Sequence, residues 1–395
     1  MRRYITLFWC MLIFSLSVQA ADPIKIGMSA PFSGRAERLG LDYRAGAQLA
    51  FNQLNQQGGI GGRPLQLLTL DDGYEPHRTV DNTRQLVFND KVLALFGYIG
   101  TPTSNAVLPL LRHEQIPFIA PFTGADILRQ QEDQFIYNFR ASYAQEASAQ
   151  ISYLVDVRRF KKIALLIQAD EFGASVERNF VAELQKRRLA PLEISRFKRN
   201  TTDLADAVAT LVASQPDVVL TVGTYQVLIE AIELGAQQKF TPLYTVVSFT
   251  GVSELAKLLD NRHQVLASMV MPDPLQSKLV LVDMYRQQLK VQSTLQSSAQ
   301  STVKSTAQHQ ALNTMPQLSD VALEGFAAAT VFVGALKQCA ASITRSCLLQ
   351  ALPQQSLFDF ALQYDTKRHQ ASQQIHLVWL KNQTLEAVQD STVLD

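Results

Sequence analysis

The 395-residue sequence lacks an excess of either charge sign, since 36 basic residues face 35 acidic ones. A protein that binds nucleic acid or an anionic membrane through its overall field carries a clear basic excess. The balance excludes that kind of recognition for the chain as a whole, so no nucleic-acid partner is expected. A two-lobed repressor would also need an N-terminal helix-turn-helix, and a different segment occupies that end.

Motifs of the common enzyme classes are missing as well. The chain contains no GxSxG, no HExxH, no phosphate-binding loop and no dinucleotide fingerprint. Asp71 and Asp72 follow a predicted strand, where a catalytic carboxylate could lie, but adjacent carboxylates at a turn are more often solvated or capping groups. We therefore expect a protein that is not an enzyme and that needs no cofactor.

Cysteine is scarce, with three residues in the chain. Cys10 lies in an N-terminal apolar run, which leaves Cys339 and Cys347 for the mature protein. In an oxidising compartment such a pair is a disulfide candidate, and the alternative is two reduced or buried thiols. CxxC spacing and a His/Cys cluster are absent from the sequence, so no metal site is expected.

Long apolar runs are absent after the N-terminus, which reads MRRYITLFWCMLIFSLSVQAAD. Arg2 and Arg3 precede an apolar run that ends in Val18-Gln19-Ala20. The basic start, the short run and the small residues at its end predict a signal peptide over residues 1–20, cleaved near Ala20/Ala21. The mature protein is then soluble outside the cytoplasm. An uncleaved anchor is the alternative, although the run is shorter than the ~20 residues that span a bilayer.

Short apolar runs then alternate with helical patterns in two successive units. The predicted strands of the first unit are Ile24–Ser29, Leu65–Leu70, Leu93–Phe96 and Phe118–Ala120. Those of the second unit are Lys162–Gln168, Leu192–Phe197, Val218–Val222 and Leu243–Val247. This alternation predicts an α/β protein with two doubly wound parallel-sheet lobes. A ligand would then lie between them, outside the carboxyl ends of the strands.

Four glycines, Gly58, Gly59, Gly61 and Gly62, follow a helical pattern and precede a strand. A phosphate loop has the reverse order, because it follows a strand and opens a helix. We therefore interpret Gly58 as the residue after a helix C-terminus, and the other three as a sharp turn.

Two later segments have their own patterns. The segment 287–317 is rich in Ser, Gln and Thr and has few large apolar residues, which predicts a mobile loop or insertion. It is either a partner-recognition tail or a tolerated surface insertion. Near the C-terminus, Phe358–Tyr364 and Gln374–Leu380 alternate and predict a hairpin of two strands.

Candidate binding residues follow four predicted strands. The segments are Gly97–Asn105, Pro121–Asp126, Gln168–Gly173 and Gly223–Tyr225. Hydroxyl residues and glycine at a strand end, followed by a helix N-terminus, favour an anionic group such as a carboxylate. Plain helix capping by Thr103 or Ser104 is the alternative. Aromatic residues at these ends could pack against an apolar part of a ligand.

Several segments resemble those of the periplasmic leucine/isoleucine/valine-binding protein family, the type I periplasmic solute-binding proteins of ABC importers. They are IKIGMSAPFSG (Ile24–Gly34), Gly46–Gly62, Leu65–Asp72, Gly97–Asn105, IPFIAPFTG (Ile116–Gly124) and Asp170–Gly173. The resemblance implies two lobes joined by three hinge segments, placed here near Phe139–Ser142, Met269–Pro274 and Gln354–Phe358. Lobe 1 would comprise 22–141 and 271–355, and lobe 2 would comprise 142–270 and 356–395.

The same resemblance implies a site between the lobes. Its ligand-carboxylate positions match Thr101, Phe122, Thr123 and Gly124, and its lid aromatics match Phe172 and Tyr225; Tyr98 and Tyr143 are added as neighbours. Amino-acid binders of the family present an acidic residue to the ligand ammonium. Ser248 and Phe249 occupy that place here, so an α-amino acid would need another acid, such as Glu146 or Asp170, to reach the site.

The expected function is therefore that of a monomeric periplasmic receptor. It captures a small polar or amino-acid-like ligand, such as an amino acid, an amide or a small carboxylate, and presents it to an ABC transporter permease. A receptor that reports to a membrane sensor has the same sequence features, and an extracytoplasmic enzyme is a further alternative.

Overall fold

The structure of the chain, a computed structural model, describes residues 22–260, 262–300 and 318–388. The predicted signal peptide lies outside these ranges. Across the described residues, no helix combines the length and the apolar composition needed to cross a bilayer. The strands form two separate sheets.

The first sheet, with its helices, is lobe 1. Its strands are β1 (Ile24–Ala30), β2 (Leu65–Asp71), β3 (Ala94–Phe96), β4 (Phe118–Ile119) and β5 (Ile136–Tyr137). They are all parallel, in the order β2-β1-β3-β4-β5. Its helices are α1 (Glu37–Gln56), α2 (Pro76–Arg84), α3 (Thr101–Glu114), α9 (Val280–Gln300), α10 (Asp320–Gln338) and α11 (Arg345–Ala351).

The second sheet, with its helices, is lobe 2. Its strands are β6 (Ile163–Gln168), β7 (Ile194–Phe197), β8 (Val218–Val222), β9 (Leu243–Val246), β10 (Val265–Met269), β11 (His376–Lys381) and β12 (Thr384–Ala387). The order is β12-β11-β10-β9-β8-β6-β7, and β11 runs antiparallel to both neighbours. Its helices are α4 (Tyr143–Ile151), α5 (Glu171–Lys186), α6 (Ala205–Ser214), α7 (Tyr225–Gln237) and α8 (Val252–Leu258).

The central strands of both sheets, such as β3, β6, β8 and β10, are buried and apolar on both faces, which is the pattern of parallel sheets covered by helices. In β3, Leu95 packs with α2 and α3 while Phe96 packs with α1 and α10. The predicted fold class, two doubly wound α/β lobes, is confirmed. The lobe limits expected from the sequence remain a prediction.

Two sequence predictions are wrong. Phe358–Tyr364 is not a strand, and the C-terminal hairpin is β11 with β12. Phe358 is half exposed and has φ of +48°, a left-handed conformation that interrupts an extended chain.

The Ser/Gln-rich segment is not a loop throughout, because α9 continues to Gln300. Buried Leu281, Val282 and Tyr285 fix the start of α9, and adding residues to an existing helix needs no new nucleus. Residues 301–317 lie outside the described residues.

The glycine cluster after α1 is a turn, as interpreted from the sequence. Gly58, Gly59, Gly61 and Gly62 all have positive φ. The N–H of Gly59 donates to the carbonyl of Leu54, which closes the end of α1. A Cβ at Gly59 would lie 2.1 Å from the carbonyl oxygen of Arg63, so no larger residue fits there.

The chain passes between the lobes after β5, after β10 and before β11. The first and third of these connections are joined by backbone hydrogen bonds. Asn138 N donates to His369 O at 2.7 Å, and Ser372 N donates to Phe139 O at 2.9 Å. The two connections therefore form a paired hinge rather than independent linkers.

A disulfide joins the end of α10 to α11. The sulfur atoms of Cys339 and Cys347 are bonded, and their Cα atoms are 5.9 Å apart. The bond closes a short loop, with a sequence separation of 8. A crosslink stabilises a protein mainly by restricting the unfolded chain.

Replacing both cysteines, Cys339→Ala with Cys347→Ala, should lower the free energy of unfolding by about 2 to 3 kcal/mol because the unfolded loop is no longer closed. Urea denaturation of the oxidised proteins measures the difference. Reductant should destabilise the unmodified protein and leave the double variant unchanged. Equal stability of the two oxidised proteins would contradict this account of the crosslink.

Candidate functional site

Two threonines at neighbouring strand ends of lobe 1 meet side by side. Thr101 is the first residue of α3, and Thr123 follows β4. Their hydroxyl oxygens lie 2.7 Å apart, and Thr123 Oγ1 donates to Tyr143 OH at 3.2 Å. The N–H groups in the first turn of α3 have no acceptor within the helix. The arrangement offers hydroxyls and a helix N-terminus to one polar group.

Gly124 allows lobe 1 to approach lobe 2 at this point. A Cβ at Gly124 would lie 2.7 Å from the amide nitrogen of Tyr143. The Tyr143 N–H donates to the Gly124 carbonyl at 2.8 Å. Any side chain here would separate the two strand ends from the start of α4.

Five aromatic side chains from both lobes form a continuous ring cluster: Tyr74, Phe122, Tyr143, Phe172 and Phe249. The centroid of the Phe249 ring is 5.6 Å from that of Phe122 and 4.6 Å from that of Phe172. All five side chains are fully buried. The cluster is thus a joint apolar surface that exists only when the lobes are together.

Arg140, in the first connection between the lobes, lies beside this ring cluster. Its guanidinium carbon is 4.2 Å from the centroid of Phe122, and Nη2 donates to Ser248 Oγ at 2.6 Å. Nε lies 3.4 Å from Glu324 Oε1 as an ion pair. Although Arg140 is 1% exposed, Nε and Nη1 have no hydrogen-bond partner among the described residues.

Glu146 holds Ser248 in position through hydrogen bonds. Its carboxylate accepts hydrogen bonds from Ser248 N and Ser248 Oγ, both at 2.7 Å, and from Ser268 Oγ at 2.5 Å. Burial raises the pKa of Glu146, against the effect of Arg140 and of these hydrogen bonds. Glu146, which the sequence analysis named as an acid that could reach a ligand ammonium, therefore already binds protein groups.

Glu324, on α10 of lobe 1, is the second buried acid. Burial raises the pKa of Glu324 to about 7, and Arg140 opposes that rise. For Arg140, burial alone would lower the pKa, but Glu324 and Glu146 raise it above its ordinary value. The Arg140 guanidinium therefore stays charged although it is out of contact with water.

Polar contacts hold the lobes together around the site. On one side, Arg35 of lobe 1 donates to Glu230 of α7 at 2.7 Å. On the other, Asn200 of lobe 2 donates to Glu75 at 2.7 Å. At a third position between the lobes, the carboxylate of Asp320 accepts a hydrogen bond from Ser253 N at 2.9 Å. The structure is therefore that of a closed form.

The two-lobed fold has counterparts among known proteins. Residues 23–384 match the sequence profile of the family described as "Periplasmic binding protein". The chain belongs to the periplasmic binding protein family. The resemblance stated from sequence motifs is thereby confirmed, and the family is one of solute-binding proteins that act in the periplasm.

Relatives of this periplasmic binding protein include an "Amino acid binding protein" of Pseudomonas aeruginosa, 26% identical over 52% of this chain and 55% of that protein. The chain spans about half the length of the curated relatives it matches. A solved structure of a possible leucine/isoleucine/valine-binding protein from Rhodopirellula baltica is 29% identical, with a TM-score of 0.82 over 95% of this chain and 99% of that one. A substrate-binding periplasmic protein from Ralstonia solanacearum, 24% identical, shares the fold with a TM-score of 0.81 over 92% and 100%.

Most residues that the sequence assigned to the site of this periplasmic binding protein lie together. They are Thr101, Phe122, Thr123, Gly124, Tyr143, Phe172, Ser248 and Phe249. Tyr98 lies apart, because it faces α2 and α3, with its hydroxyl 2.9 Å from Thr83 Oγ1. Tyr225, the first residue of α7, is buried outside the ring cluster, and burial and Glu254 raise its pKa to about 12.

The sequence reasoning missed Tyr74, Arg140 and Glu324 as parts of this site. Arg140 stood inside a predicted hinge segment, where an arginine between apolar residues was a usable signal. Glu324 had no local signal, because its partner comes from a distant part of the chain. Within the described residues, no group of three or more His, Cys, Asp or Glu is placed to hold a metal.

The stability of this periplasmic binding protein should depend on Glu324 in a defined pH window. Its pKa is about 7 in the folded protein against an ordinary value of 4.5. Between these values the folded protein holds a proton that the unfolded chain has lost, so the free energy of unfolding decreases as the pH rises. Glu324→Gln should weaken that decrease, measured by urea denaturation from pH 4.5 to 8.

Other buried acids with raised pKa values keep part of the slope in the variant. Burial raises the pKa of Asp42 and of Asp72 to about 6, which acts in the same direction. The matched control is Glu230→Gln at the rim of the cleft. An unchanged slope in Glu324→Gln, or an equal loss of slope in the control, would contradict the assignment to Glu324.

Proposed function

We propose that this periplasmic binding protein captures a small polar or amino-acid-like ligand between its lobes and presents it to the permease of an ABC transporter. The observation that carries the proposal is the meeting of both lobes at one set of side chains. Thr101 and Thr123 come from lobe 1, and Tyr143 and Phe172 come from lobe 2. A solute held there touches both lobes at once.

A carboxylate or amide group of the ligand is proposed to bind at the two threonines. In this structure the two hydroxyls bond to each other and Thr123 donates to Tyr143 OH, and a ligand is proposed to take over these bonds beside the N-terminal turn of α3. The positive end of the helix dipole favours a negative group at this place. Gly124, which has no side chain, lets the backbone at the start of α4 come close to this place.

The apolar part of the ligand is proposed to lie against the ring cluster. Phe122 stands on the lobe 1 side, and Phe172 and Phe249 stand on the lobe 2 side. Contacts from both sides are made only in the closed form, so ligand binding shifts the population towards closure. The permease would recognise the closed arrangement of the two lobes.

Export and oligomeric state belong to the same proposal. The N-terminal pattern supports removal of residues 1–20 near Ala20/Ala21, after which the chain acts as a monomer in the periplasm. Mass spectrometry of the exported protein measures the new N-terminus. A mature chain that still carries Arg2 and Arg3 would contradict the cleavage.

The ligand-binding proposal is tested first by thermal-shift screening against amino acids, amides, short carboxylates and aromatic acids. A ligand present at about 100 times its Kd adds about 2.7 kcal/mol to the stability of the folded state, which is a clear shift. The compound with the largest shift is then used for calorimetry on variants.

Thr101→Ala and Thr123→Val should each weaken binding of that compound by about 10- to 100-fold, since each removes a hydrogen bond to a charged or polar ligand group. Isothermal titration calorimetry measures the loss. Thr330→Val is the matched control, because the Thr330 hydroxyl donates to Phe326 O within its own helix, at 2.7 Å. Full affinity in both site variants would show that the ligand binds elsewhere.

A further inference from the structure

The centre of the cleft holds four buried charged side chains, here called the charge cluster: Arg129, Arg140, Glu146 and Glu324. Arg129 is satisfied by protein groups, since it donates to Gln370 Oε1 and Ala125 O at 2.9 Å and to Arg140 O at 3.1 Å. Arg140 is not, because two of its nitrogens lack a hydrogen-bond partner among the described residues.

The charge cluster is formally neutral, with two guanidinium groups and two carboxylates, but its hydrogen bonds are incomplete. Glu146 is held by hydrogen bonds from Ser248 and Ser268, and Glu324 approaches Arg140 at 3.4 Å. Nε and Nη1 of Arg140 have no hydrogen-bond acceptor among the described residues. A buried guanidinium with unfilled donors favours an anionic acceptor as its neighbour.

Glu324 already faces the Arg140 guanidinium as an ion pair, and the other acids near the ring cluster accept hydrogen bonds from protein groups. Asp170 caps α5 through Phe172 N and also accepts from Gln168 and Arg199. Asp126 accepts from Asn179 at 3.0 Å. Phe249 fills the place where an acid was sought in the sequence, with its ring packed between Phe122 and Phe172. A ligand ammonium at this place would be buried without a counter-charge, which is costly.

We propose that the ligand is a monocarboxylate with an apolar body and no ammonium group, its negative charge complementing the buried Arg140 guanidinium and its unfilled donors. The inference rests on the function proposed above and narrows it. The carboxylate accepts hydrogen bonds at Thr101 and Thr123, and the apolar body packs on the ring cluster. The site thereby selects against α-amino acids of the same shape.

Pairs of compounds that differ in one group test the inference on the unmodified mature protein. L-leucine is compared with 4-methyl-2-oxopentanoate, and L-phenylalanine with phenylpyruvate, by titration calorimetry at pH 7. The oxo acid should bind more tightly than the amino acid by on the order of 100-fold in at least one pair, because only the amino acid buries an unpaired cation. A second comparison, 4-methylpentanoate with 4-methylpentanamide, isolates the negative charge, and the acid should again bind more tightly.

The outcomes separate this inference from the proposed function. If leucine or phenylalanine binds as tightly as its oxo acid, the inference is overturned while ligand capture stands. Equal binding of the acid and its amide also overturns it. If none of these compounds binds but another class stabilises the protein, the ligand class is wrong and capture stands. If no compound of any class binds, both proposals fail.

A variant that introduces a carboxylate at position 249 tests whether amino-acid binding can be gained. Phe249→Glu supplies the missing carboxylate and should strengthen amino-acid binding relative to the oxo acid, with Phe249→Gln as the uncharged control of similar shape. Circular dichroism and thermal unfolding establish that both variants fold. Should either fail to fold, the comparison of compound pairs on the unmodified protein decides the question. A folded Phe249→Glu protein with the preference of the unmodified one would contradict the role of Phe249.

Discussion

A guanidinium buried where the two lobes meet is the constraint around which the cleft is organised. Arg140 is almost entirely out of contact with water, and a buried charge is tolerated only where other groups compensate it. Its compensation comes from both sides, from Glu324 on lobe 1 and from Ser248 on lobe 2. Separation of the lobes would remove one of these partners and admit water to the other. The state of the hinge and the electrostatics of the site are therefore linked through one side chain.

The contacts at the rim of the cleft set a modest energy for closure. Arg35 with Glu230 and Arg199 with Glu75 are partly exposed ion pairs, each worth about 0 to 1 kcal/mol. Such weak pairs favour the closed arrangement of the lobes but still allow the lobes to separate. A receptor needs that balance, because a ligand shifts an equilibrium only by its difference in affinity for the two states. The ring cluster and the charge cluster provide that difference, since both are assembled from the two lobes.

The sequence predicted most of the fold because the signals of parallel-sheet lobes are local. Apolar runs such as Val218–Val222 fix their strand without help from distant residues, and Gly58 ends α1 through its own conformational freedom. The same reasoning failed where a pattern was ambiguous. Phe358–Tyr364 alternates like a strand but takes a left-handed turn, and Ser- and Gln-rich residues continue α9 once its buried start has formed.

The site was predicted in part for the same physical reason. Thr101, Thr123 and Phe172 lie in the short segments that follow β3, β4 and β6, and the carboxyl ends of neighbouring parallel strands meet at one edge. Tyr98 also follows a strand, but successive residues alternate between the faces of a sheet, and it faces away from the cleft. Glu324 reaches the site from α10, which packs against α1 from a late part of the chain. Such a long-range approach leaves no trace in a local pattern.

The central claim is that the lobes move between an open and a closed arrangement and that a ligand favours the closed one. It is tested most directly by the distance between nitroxide labels at Asp81 on α2 and Ala209 on α6, two exposed positions on different lobes. Double electron–electron resonance is recorded with and without the compound that gives the largest thermal shift. The account predicts a broad or longer distribution without that compound and a single shorter distance with it. An identical distribution in both samples would contradict ligand-driven closure.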